Sequence, residues 1–186
     1  PYIDPPPGPI SGNDFVSSSV DYKHYKEFWR FYQSGQFVHF IACKEDWVNQ
    51  EELKRQGLGV FQPDAKGGSF LSILSTLYLI TQMYEFAARL AEKGVFDGEM
   101  EMSLELYDMN NRQLFFWDAT RTLFRAYICH IPTITKQQPI SVERLLGSSA
   151  ELALETTLSI FERFNWDEPP RGIFVEEQKK LLERRL

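Results

Sequence analysis

The chain has 186 residues, 43% of them hydrophobic and 25% charged, with a net charge of −6. That is enough for a core without staples, and the acidic balance argues against a general affinity for nucleic acid. Its two cysteines, Cys43 and Cys129, are too few for a disulfide framework and suit a reduced, intracellular, cytoplasmic protein.

Residues 1–14 carry Pro1, Pro5, Pro6, Pro7 and Pro9. Consecutive prolines favour an extended conformation with few donors, so this stretch reads as a linker or a strap. Residues 15–186 then read as one globular domain. A chain opening at Pro1 rather than methionine suggests a piece of a longer protein.

Six of the eleven residues from Tyr22 to Tyr32 are aromatic. At about 100° per residue, Tyr22, Tyr25, Phe28, Trp29, Phe31 and Tyr32 share half of a helical wheel. Lys23, Lys26, Glu27 and Arg30 take the other half. The expectation is a helix over roughly residues 20–33, stopped near Gly35, with Phe28 and Trp29 buried. A binding reading would have Tyr22, Tyr25, Trp29 and Tyr32 stack on bases while Lys23, Lys26 and Arg30 hold phosphates. On a helix the cations lie opposite the rings, which favours core packing instead.

Gln36 to Lys44 is apolar on both faces and predicts an interior strand. Glu51 to Arg55 suggests a short helix ended by Gly57 and Gly59. Gly67-Gly68-Ser69 introduces a long helix to about Lys93, with Ser69 as its N-cap. That helix contains Gln82, Glu85 and Arg89, so it suits a buried element rather than a membrane span. Met100, Met102, Leu104 and Leu106 alternate with Glu99, Glu101, Ser103 and Glu105, the mark of a half-buried strand. Asn110-Asn111 suits a hairpin turn, with Gln113 to Trp117 as the return strand and Leu123 to Ile131 as another. Ser141 opens a short helix. Ser148 with Glu151 forms a capping box for a helix to about Asn165. A last helix runs from about Phe174 to Leu186, with Glu176–Lys180 and Lys179–Glu183 at supporting spacing. The fold expected is α+β: an antiparallel or mixed sheet packed by a long central helix, with a helical C-terminal third.

Motifs for chemistry are weak. His39 and Cys43 would lie about 13 Å apart on a strand, too far to share a zinc ion, and Cys129 and His130 would point to opposite faces. Lys66-Gly67-Gly68-Ser69 lacks P-loop spacing. Pro63-Asp64-Ala65-Lys66 resembles only part of a metal-dependent nuclease signature, and Glu45-Asp46 follows a strand end. No G-x-S-x-G is present. No catalytic residue, metal site or cofactor is assigned. The favoured role is a non-catalytic interaction or regulatory module whose partners are other domains of a parent chain or another protein. A metal-dependent nuclease or hydrolase (Asp64, Lys66, Glu45, Asp46) and a nucleic-acid-binding regulator using the aromatic segment are the alternatives.

Overall fold

A computed structural model describes residues 8–55, 68–118, 120–121 and 123–184. The contacts gather into two compact units, the first running to Gly68 and the second Ser69–Leu186.

The first unit is a β-meander. Strands β1 (Ile10–Ser11), β2 (Phe15–Tyr22), β3 (Tyr25–Tyr32) and β4 (Phe37–Ile41) form one antiparallel sheet in that order. The predicted aromatic helix is therefore a β-hairpin. Tyr22 pairs with Tyr25, and Lys23 turns the chain with φ +51°. Aromatic side chains pack well on a pleated surface, and the half-wheel of rings also fits a strand with apolar residues on both faces. Gly35 ends no helix. At φ +87° it makes the β3–β4 turn, with Tyr32 N–H donating to Gln36 O (2.8 Å). At Gly12, in the β1–β2 turn, an added Cβ would lie 2.3 Å from the Phe15 ring, so a larger residue there must displace that ring. β4 confirms a strand after Gly35, but it stands at the edge of the sheet rather than in its interior. A 3-10 turn (Lys44–Trp47) and the short helix α1 (Gln50–Arg55) follow, with Asn49 Oδ1 accepting from Glu52 N–H (2.9 Å). Gly57, Gly59, Pro63, Asp64, Ala65, Lys66 and Gly67 lie outside the described residues.

The second unit is α+β. β5 (Phe70–Ser72) leads into the long helix α2 (Ile73–Glu92). The N-cap is Ser72, not Ser69: Ser72 Oγ accepts from Ser75 N–H (3.3 Å). β6 (Glu99–Leu106) alternates exposed and half-buried positions as expected. Its partner differs from the expected one. β6 pairs antiparallel with β8 (Ile134–Ser141), whereas β7 (Gln113–Phe115) pairs parallel with β5. Asn111 does adopt a left-handed φ of +64°, but the turn leads away from β6. Residues 123–131 form no strand beyond a single bridge between Gln113 and Ile128.

Ser141 caps α3 (Val142–Glu162), accepting from Arg144 N–H (3.2 Å). As expected, the helical run is broken at Ser148, whose φ of −151° and ψ of 31° are non-helical, so a short helix from Ser141 is followed by a longer one from the position of the second cap. α4 (Arg171–Leu182) begins three residues earlier than expected, directly after Pro169-Pro170. α2 packs against α3 and α4. Gln178 of α4 binds both helices, donating to Thr81 Oγ1 and Ala150 O at 2.9 Å. Phe70, Leu77, Leu114, Phe161, Phe164 and Phe174 form a core that excludes water. Among the described residues no helix is long and apolar enough to cross a membrane.

Candidate functional site

Strand alternation redistributes the predicted site residues. Register places Tyr22, Tyr25, Glu27, Trp29, Phe31 and His39 on one face of the meander. Lys26, Phe28, Arg30, Tyr32, Phe15 and Phe40 share the other. Lys23 sits in the turn with its ammonium 5.2 Å from the Tyr22 ring centre. The predicted ring row is thus split, with Tyr32 apart from Tyr22, Tyr25 and Trp29. Lys26 and Arg30, expected opposite the rings, lie among rings. Phe28 and Trp29 are half-buried rather than core residues.

Both cations are engaged within the sheet. The Arg30 guanidinium lies 4.1 Å from the Phe15 ring centre, 5.5 Å from Phe28 and 5.9 Å from Tyr32. Its Nε is buried with no hydrogen-bond partner among the described residues, and the rings stabilise the guanidinium. Lys26 pairs with Asp21 and lies 4.8 Å from the Trp47 ring centre. On the opposite face Glu27 receives the Tyr25 hydroxyl and bonds His39 Nε2 (2.5 Å). The bond to the Glu27 carboxylate, helped by burial, pushes the Tyr25 hydroxyl up to about 12. Several large apolar side chains still face water: Phe40 is 60% exposed, Tyr25 51%, Trp47 47% and Tyr22 43%.

The second unit holds a polar cluster that the sequence did not reveal. The Glu177 carboxylate accepts from Tyr78 Oη (2.6 Å), Arg121 Nη2 (2.7 Å) and Lys180 Nζ (2.7 Å). Burial pushes this carboxyl up, but the three donors and the Arg121 charge outweigh it and hold it at about 2. Burial, then the bond to Glu177, raise the Tyr78 hydroxyl. The cluster ties α2, α4 and Arg121 together, so its chemistry is that of a structural lock around a buried carboxylate. Spacing pointed to Glu176 with Lys180; the pairing formed is Glu177 with Lys180, because Glu177 faces inward.

Other candidates stay apart. Glu45 is buried in the 3-10 turn, and its carbonyl accepts from Gly68 N–H (3.1 Å). Asp46 is exposed beside it, and Asp64 and Lys66 lie outside the described residues. Cys129 is buried and His130 exposed. No group of three or more His, Cys, Asp or Glu side chains among the described residues is placed to hold a metal ion. A shallow groove of about 500 Å³ lies along α2 at Gln82, Glu85 and Arg89 and beside Leu181 and Leu182. No family model matches the chain, and neither the curated proteins nor the solved structures include a match to it.

Proposed function

We propose that this chain is a non-catalytic interaction module of a larger assembly, and that it engages its partner through the aromatic meander of the first unit. One observation carries the reading. Tyr22 and Tyr25 stand paired in solvent on one face of the meander, and Phe40 stands in solvent on the other; exposed aromatics of this kind on a protein surface usually mark a contact surface. The partner is another domain or another protein chain. Two cysteines outside any disulfide, one of them fully buried, suit a cytoplasmic setting.

Nucleic-acid binding is the second reading, favoured by Lys26 and Arg30 sharing a face with Phe28, Tyr32 and Phe40. Against it, Lys26 already pairs with Asp21 and the Arg30 guanidinium is covered by rings.

The test replaces Phe40 and Tyr25 with Asp in the whole chain and quantifies specific co-purifying proteins. Loss of partners with an unchanged melting curve supports the module, provided that a second-unit control, Glu101→Lys, retains them. Retained partners would contradict it. So would metal-dependent cleavage of a nucleic acid or ester that Glu45→Ala abolishes without unfolding the protein. Salt-dependent binding of single-stranded DNA lost in Arg30→Gln would favour the second reading.

A further inference from the structure

We infer that β4 pairs antiparallel with β4 of a second copy of this chain, joining two meanders into one continuous sheet. This deepens the interaction reading by naming the partner, and rests on it.

The argument begins with the ladder. Ala42 N–H donates to Lys26 O (3.0 Å) and Tyr32 N–H to Gln36 O (2.8 Å). With Phe28 opposite Phe40 and Arg30 opposite Val38, antiparallel alternation makes Val38, Phe40 and Ala42 turn their N–H and C=O groups toward β3. His39 and Ile41 therefore turn theirs outward, and no strand among the described residues lies beyond β4. Proteins usually guard such an edge with lysine, proline or a bulge. β4 reads Phe-Val-His-Phe-Ile and has none of these.

The same strand is self-complementary. A two-fold axis at Phe40 sets His39 opposite Ile41 of the other copy, and the outward N–H and C=O of both residues are then mutually satisfied. Phe40 meets its own counterpart at a non-hydrogen-bonded position, where side chains approach most closely. Within each copy Phe40 already packs near Phe28, with ring centres 6.2 Å apart. The pairing thus extends that row into four rings across the junction and covers the most exposed ring of the sheet. No like charges oppose each other. His39 faces Ile41, and its Nε2 is held by Glu27 of its own sheet (2.5 Å).

The experiment combines sedimentation of the whole chain with residue-resolved amide exchange across a dilution series. The expected result is a dimer that dissociates on dilution, with the His39 and Ile41 amides protected only in the dimer. Ile41→Pro removes an outward donor at an edge position where proline is tolerated, and should weaken the dimer roughly tenfold or more. Phe40→Lys leaves the backbone unchanged and should weaken it similarly, which guards against misfolding of the proline variant. A monomer at every concentration would overturn the inference, as would a dimer whose His39 and Ile41 amides exchange freely. Protection of those amides only on adding a different protein would also overturn it while leaving the interaction module standing. A monomer whose Phe40 and Tyr25 replacements lose no partner would remove both.

Discussion

The two units place their aromatic clusters differently, although Phe86, Tyr107 and Phe124 of the second also stand in solvent. In the second, Phe161, Phe164 and Phe174 are fully buried between helices, and their contribution is stability through apolar area removed from water. In the first, Phe28, Trp29, Phe31 and Tyr32 pack across strands on a single sheet and stay half-exposed, while Phe40 and Tyr25 stand in solvent. Such rings contribute less apolar burial to their own unit. The contrast shows that aromatic content says little by itself; how far the surrounding chain covers the rings decides how deeply they are buried.

Substitutions should separate the units. Phe161→Ala should have the largest effect, costing about 3–5 kcal/mol in denaturant melts as expected for a buried ring. Next comes Glu177→Gln, costing about 2–4 kcal/mol because Arg121 and Lys180 lose the anion they pair with and an amide NH2 replaces one of the two acceptor oxygens. The acid limb carries the same signature. The Glu177 carboxyl, ordinarily at 4.5, is held at about 2 in the fold, so its contribution is complete above about pH 4.5 and lost as pH falls toward 2. Glu177→Gln should flatten that part of the pH–stability curve. Trp29→Ala should cost only about 1–2 kcal/mol, the range of cross-strand packing with partial burial. Smallest, Phe40→Asn should change stability by less than about 0.5 kcal/mol while reducing association. If Trp29→Ala matched Phe161→Ala, the meander would be a core and the comparison would fail.

Local pattern made much of the second unit legible. The alternation from Glu99 to Leu106 predicts β6, the apolar run after Phe70 predicts α2, and Ser141 and Pro169-Pro170 bracket the C-terminal helices. Pairing was not legible, because the β5–β7 and β6–β8 contacts depend on distant segments rather than on local pattern. β8 was hidden by Pro139, which a two-stranded sheet tolerates because each strand has an open edge. The Tyr22–Tyr32 segment was misread for a different reason. With rings at nearly every step, a half-wheel and a two-sided strand fit equally well. The turn at Lys23-His24 lacks the Gly or Asn that usually marks a hairpin. β-propensity of Tyr, Phe and Trp was the signal that could have decided it. Once strand alternation replaced the wheel, Lys26 and Arg30 moved from opposite the rings to among them, and the candidate site changed character.

Hydroxyl-radical footprinting of the dilute whole chain tests the contrast most directly. The account predicts rapid oxidation of Phe40, Tyr25 and Tyr22, strong protection of Phe161, Phe164 and Phe174, and gain of protection at Phe40 when the chain is concentrated. Rings of the meander as protected in dilute solution as those of the second unit would contradict it.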